Sequence, residues 1–317
     1  MVKPRVLVIG NTSLEISFEI GGMPMSGETV RASAFTEDVG GRGAMSCFSF
    51  GALDLCPILL GRIGDDNNAM RIKKRLSLSG ADLRFLLPTK GIKTSVNMTL
   101  TDDISKRGVE FPGAASRITK RDVEDAFTSH PDAVYLNFDV NSETADCATV
   151  FASKRNIPVF LSASPVKRDI EMAVLLNIDT LFLNESDVKA YTGVSAATIE
   201  GCMKASVMLR NKMHLKCVVI KRGIKGIFIS TGKYYRAVQA FELKQTDARF
   251  ADIAFDTAFI SYFLKHRTYN GACEFANVFS ALTASRAKGE SLFPSSEEIE
   301  RFAKVNEVSF DIGDEDE

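Results

Sequence analysis

Residues 179–192 read Asp-Thr-Leu-Phe-Leu-Asn-Glu-Ser-Asp-Val-Lys-Ala-Tyr-Thr, a short apolar run that meets a polar tetrad and then a helical pattern. An apolar run of that length between polar residues fits a strand buried on both faces, and the spacing after it fits a helix. The same unit recurs on both sides. Apolar runs rich in β-branched residues stand at 5–9, 57–60, 133–136, 157–161, 217–220 and 227–230, and helical patterns at 67–80, 121–129, 142–155, 196–212 and 271–287. Strands that alternate with helices predict an α/β fold of three layers, with a mostly parallel central sheet covered by helices on both faces.

Two stretches break that rhythm. Residues 14–38 and 94–111 alternate apolar and polar positions around Gly21-Gly22 and Asp102-Asp103, as antiparallel hairpins do, and predict a small β lid from about 12–38 and 94–111. One domain is expected over 1–308, and the acidic residues 309–317 are expected to form a disordered tail.

The 317 residues are 45% hydrophobic and 25% charged with a net charge of -1, so no global field draws the chain to nucleic acid or to an anionic membrane. An anionic ligand must be held locally. Six cysteines form no Cys-x-x-Cys pair and three histidines show no metal-ligand spacing, which argues against a zinc site and for free thiols. The apolar run of Met1–Gly10 is too short for a signal peptide and no run reaches membrane-spanning length, so the cytoplasm is the expected compartment.

Several motifs each carry two readings. Gly40-Gly41-Arg42-Gly43-Ala44-Met45 precedes the helical run 46–53 and suits either a loop against a ligand or a tight turn. Gly10-Asn11-Thr12-Ser13 ends the first strand without a Gly-x-Gly-x-x-Gly fingerprint, which disfavours a nucleotide-dependent oxidoreductase. Gly61 to Asn67 reads as a strand-ending turn. Asn184-Glu185-Ser186-Asp187 falls where the carboxyl edge of the sheet should be, and serves as a helix cap or holds magnesium through water. Lys221-Arg222-Gly223-Ile224-Lys225-Gly226 joins two strands and suits either nucleotide phosphates or an exposed hairpin. In residues 251–264 Asp256 reads as an acid at the start of an apolar helix. It could take a proton there, or merely gain about 0.3 to 1 kcal/mol from the helix macrodipole.

Taken in chain order, these pieces resemble the ribokinase or phosphofructokinase-B (PfkB) family of carbohydrate and nucleoside kinases, over nearly the whole chain to about Phe302. Pro24 to Thr29 with Gly40-Gly41-Arg42-Gly43 is similar to the family's first signature. Asp256-Thr257-Ala258 with Ile260 to Leu264 is similar to the second, whose Gly-Ala-Gly-Asp ends in the catalytic base. Phe111 to Ala115, Asn184 to Asp187 and Lys221 to Gly226 resemble the sugar-side loop, the Asn-x-x-Glu element and the nucleotide loop.

The resemblance implies a ribokinase-like fold and transfer of a phosphoryl group from ATP to a hydroxyl of a sugar or sugar-like molecule. Mg2+ would assist, and a monovalent cation is left as an open addition. It implies Asp256 as base, beside an anion hole of backbone amides at Ile253, Ala254 and Phe255; Asp252 offers a competing alignment for the base. Ser13, Glu15, Gly41, Arg42, Gly43, Met45 and Asp139 would meet the sugar. Asn184, Asp187, Lys221, Gly223 and Gly226 would meet the nucleotide, with Asp187 reaching the metal through water. Glu15 stands where the family often has Asp, and Ser13 and Met45 where ribokinases carry Asn, so ribose is disfavoured. A homodimer through the lid is implied as well. Ile253 and Phe255 occupy family glycine positions, so the alternative is a catalytically weakened relative that binds nucleotide or sugar as a regulatory module.

Overall fold

A computed structural model describes residues 3–137, 140–164, 176–244, 246–287, 291–311 and 313. Its main sheet has the strand order β13-β12-β11-β10-β9-β8-β1-β4-β5. Here β1 is Arg5–Ile9, β4 Cys56–Ile63, β5 Leu86–Pro88, β8 Ala133–Asn137, β9 Val159–Ser162, β10 Thr180–Asn184, β11 Cys217–Lys221, β12 Ile227–Thr231 and β13 Tyr235–Val238. All pairings from β5 across to β11 are parallel, and β12 and β13 close the far edge as an antiparallel meander. The predicted alternation is therefore the observed fold class, because strands buried on both faces must be apolar throughout.

Helices cover both faces. Val6, Val8, Tyr135, Phe160, Phe182 and Val219 pack into one core that also contains side chains of α1 (Arg42–Ala52), α7 (Ala251–His266) and α8 (Tyr269–Ser285). Leu7, Ile9, Val134, Leu136, Leu181 and Val218 pack into a second core with α3 (Lys120–Phe127), α4 (Ser142–Ser153) and α6 (Ile199–Met213). Alternate residues of each strand thus feed opposite layers, and burying each such Leu, Ile, Val or Phe contributes about 1.5–3 kcal/mol. The six cysteines are free thiols.

The predicted lid is a separate four-stranded sheet in the order β3-β2-β6-β7, with β2 Ser13–Ile20, β3 Ala32–Gly40, β6 Val96–Thr101 and β7 Lys106–Phe111. The two hairpins are antiparallel and join through the parallel pair β2 and β6. Short β5, short β13 and α9 (Ser296–Val305) were not anticipated. The segment expected as a free tail from 309 instead begins by packing. Phe310 stacks its ring edge on Phe275, its carbonyl accepts from the Tyr262 hydroxyl, and the Gly313 carbonyl accepts from Asn270. The ring gains from burial against an aromatic cluster, while Asp311 beside it stays exposed.

Candidate active site

The carboxyl ends of β1, β10 and β11 and the N-terminus of α7 converge below the lid. There a cavity of about 880 Å³ is bounded by Asn11, Glu15, Gly41, Arg42, Met45, Asn97, Arg249, Phe250, Asp252 and Ile253, among others. A second cleft of about 110 Å³ lies on the other side of the α7 N-terminus, lined by Lys221, Gly223, Phe241, Ala251, Asp252, Phe255 and Ala281, among others. Asp252 belongs to both linings.

Helix α7 begins one turn earlier than the sequence suggested. Its cap is Phe250 and its first turn carries Asp252. The Ala254 amide donates to the Phe250 carbonyl at 2.8 Å, so this N–H is an internal bond of the helix and not a free donor. Asp256 therefore does not sit at a helix N-terminus: its side chain is 0% exposed in the second turn, whereas that of Asp252 is 41% exposed. Of the expected anion hole at Ile253, Ala254 and Phe255, the Ala254 amide is thus already taken; all three residues are buried, Ile253 at the wall of the large cavity and Phe255 at that of the small cleft, where its ring packs on Phe182 and Phe259. No described residue of 246–256 has a positive φ, so the absence of glycine costs this segment no backbone strain.

Asp256 is instead a structural anchor. Tyr135 donates its hydroxyl to Asp256 Oδ2 at 3.0 Å, and Lys221 Nζ lies 2.9 Å from Oδ1. Burial pushes the Asp256 carboxyl up, against the pull of Lys221; burial and then the Asp256 charge push the Tyr135 phenol up. Asp252 goes the other way. The Lys221 ammonium, 3.8 Å away, holds it below the usual carboxylate range despite burial, with help from the Asn184 Nδ2 bond at 3.1 Å and the Arg42 charge. Asn184 precedes α5 (Glu185–Thr192) but makes no side-chain cap bond there; its amide turns to Asp252 instead.

On the sugar side the first glycine motif forms a tight seat. Gly41 caps α1 at φ 87°, and a β-carbon there would meet the Asn11 carbonyl at 2.7 Å. A β-carbon on Gly43 would meet the same carbonyl at 2.7 Å. Asn11 Oδ1 accepts from the Arg42 amide at 2.9 Å, and Arg42 Nη1 is buried without a partner among the described residues. Ser13 donates to Glu15 Oε1 at 2.6 Å, and Asn97 donates to the same oxygen at 2.8 Å. Met45 is buried at the cavity wall. Asp139 lies outside the described residues.

On the other side Gly223 and Gly226 adopt positive φ in the turn between β11 and β12, and Gly223 lines the small cleft. Arg222 and Lys225 both pair with Glu185, whereas Lys221 turns inward. Asp187 is half-buried in the first turn of α5. Thus the structure gathers Glu15, Gly41, Arg42, Met45, Asn184, Lys221 and Gly223 near Asp252, and buries Asp256, Ala254 and Phe255 beneath it. Asn97, Arg249 and Tyr135 join the site or its support without a signal in the motifs. Only the register Glu15↔Asn97 between β2 and β6 brings Asn97 into place.

The model of the pfkB family of carbohydrate kinases matches residues 3–296. The chain is 25% identical to a deoxyribokinase of Salmonella typhi over 95% of this chain and 99% of that one, and 21% identical to a ribokinase of Haemophilus influenzae over 95% and 99%. The solved Arabidopsis thaliana ribokinase, complexed with ribose and ATP, superimposes with a TM-score of 0.88 at 22% identity, covering 96% of this chain and 99% of that one. The chain belongs to the pfkB family of carbohydrate kinases.

Proposed function

We propose that this family member transfers the terminal phosphoryl group of ATP to a hydroxyl of a sugar or sugar-like molecule, with Asp252 as the base. The observation that carries the reading is Asp252's placement at the α7 N-terminus, where it faces both the large cavity and the small cleft. The sugar occupies the large cavity and the triphosphate end of ATP approaches through the cleft. Phosphoryl transfer through a loose transition state needs positioning and charge stabilisation more than a strong base, so a carboxylate with a lowered pKa serves.

Each neighbour has a task. Arg42, whose buried Nη1 at the cavity wall has no partner among the described residues, meets developing negative charge. The first-turn amides of α7 and the positive end of its macrodipole do the same from the other side. Glu15, fixed by Ser13 and Asn97, binds acceptor hydroxyls, while Gly41 and Gly43 let the chain approach closely. The residues fit magnesium held through water: Asp187 has a half-buried carboxylate with no hydrogen bond or ion pair among the described residues, and the ion would add charge to the triphosphate. The cleft is narrower than the roughly 300 Å³ of ordinary ligand sites, so an adenosine displaces the Phe241–Leu243 segment as it enters.

The lid is polar toward the cavity through Glu15, Ser17, Thr36, Asn97 and Thr99, and presents Phe35 (56% exposed) and Val109 (64% exposed) outside it. A second copy on that outer face gives the homodimer, which light scattering would detect. No helix among the described residues is long and apolar enough to cross a membrane, and we place the reaction in the cytoplasm. The test is phosphoryl transfer from Mg-ATP to a panel of sugars and nucleosides. Turnover that disappears in Asp252→Asn and survives in Asp256→Asn supports the reading, and ATP binding without transfer to any acceptor refutes it.

A further inference from the structure

Lys221 ends β11 on the face that Cys217 and Val219 send into the core under α7. Strand alternation places it in that layer, away from its basic neighbours Arg222 and Lys225 on the hairpin. Its side chain is 7% exposed, and its ammonium lies 2.9 Å from Asp256 Oδ1, 3.8 Å from Asp252 Oδ1 and 3.5 Å from the Asp252 carbonyl. An ammonium buried to that degree needs a carboxylate partner, because the desolvation penalty is several kcal/mol per ion. Asp256 meets that need alone, and its second oxygen is occupied by Tyr135. Asp252 is not required for the charge to be tolerated, yet Lys221 also faces it. Side chains from three elements thus form one chain of contacts: β8 holds Asp256, Asp256 holds Lys221, and Lys221 faces the acid at the mouth of both cavities.

We propose that Lys221 is a positioning residue for Asp252, clamped by Asp256 so that its ammonium holds the Asp252 carboxylate aimed at the junction of the two cavities. The inference deepens the kinase reading and rests on it. The charged groups that face Asp252 are Lys221 from β11, Arg42 from α1 and Asp256 from its own helix, while Asn184 from β10 adds a neutral hydrogen bond. A lysine directed at Asp256 alone, out of reach of Asp252, would leave the titration of Asp252 untouched. A lysine that positions Asp252 sets it.

The experiment follows the Asp252 carboxyl by carbon-13 NMR and measures transfer kinetics on the full chain. Lys221→Met is expected to move the Asp252 titration upward into the ordinary carboxylate range. It should also lower kcat by on the order of 10²-fold with little change in KM. Since Lys221→Met strands a buried acid, Lys221→Met with Asp256→Asn removes both charges, keeps a partner for Tyr135, and should show the same shift and the same loss. Asp256→Asn alone keeps the ammonium near Asp252 and leaves the titration low. An unmoved titration in the folded double variant, or an unchanged kcat, overturns the proposal. A wild-type protein that transfers nothing to any acceptor sinks the kinase reading instead, and the titration, which needs no turnover, still decides the role of Lys221.

Discussion

Asp252 and Asp256 stand four residues apart on one face of α7 and share a single lysine, yet the first opens onto two cavities and the second is sealed in the core. Residue type cannot account for the difference. The first turn of a helix offers unpaired amides, the positive end of the macrodipole and access to solvent, and the second turn offers none of these. An acid in the first turn is suited to chemistry on an anion. An acid in the second turn needs partners of its own, which Tyr135 and Lys221 supply.

Substitutions at the two acids should therefore fail in different ways. Asp252→Asn should lower kcat by about 10³-fold with the thermal midpoint almost unchanged, as steady-state kinetics and calorimetry can record together. Asp256→Ala, which leaves Lys221 buried without its partner, should cost about 3 to 5 kcal/mol in a denaturant titration. If Asp256→Ala instead gave a fully stable protein without turnover, the assignment of roles would be reversed. Gly41→Ala sharpens the comparison by perturbing the opposite wall. Its positive φ and the nearby Asn11 carbonyl predict about 1 to 3 kcal/mol of strain and a raised KM for the acceptor. Asn97→Ala removes one of the two donors that fix Glu15, and should raise that KM by about tenfold with kcat nearly kept.

The smallest effect concerns pH. The folded state holds Asp252 below the ordinary aspartate value of 3.8, so its contribution to stability is complete above that value and fades as pH falls through the lowered one. Acid unfolding curves of Asp252→Asn should lose that part of the slope. A curve steeper than the wild type's would show that the carboxylate is disfavoured in the folded state.

The fold was legible because strand and helix periods alternate cleanly, and the lid because its two hairpins alternate polar with apolar residues. The start of α7 was not. Arg249-Phe250-Ala251 carries no glycine or serine to mark a cap, and the apolar run from Ile253 draws the eye one turn too far along. Lys221 was legible as charge but not as direction, since a basic hexapeptide looks like a loop until the strand register shows that its first residue belongs to β11. Asn97 and Tyr135 become visible only through the sheets that carry them, because a pairing partner about 80 residues away leaves no local trace. Phe310 escaped for a related reason: the acids after it dominate composition, whereas its ring finds Tyr262 and Phe275 only in three dimensions.

The most direct measurement is a crystal structure with a nonhydrolysable ATP analogue and a turned-over acceptor bound together. An acceptor hydroxyl is expected within about 2.6–3.2 Å of the Asp252 carboxylate, in line with the terminal phosphate, with Asp256 still bonded to Tyr135 and Lys221. An acceptor hydroxyl bonded to any other group, with Asp252 turned away from it, would show that Asp252 is not the base.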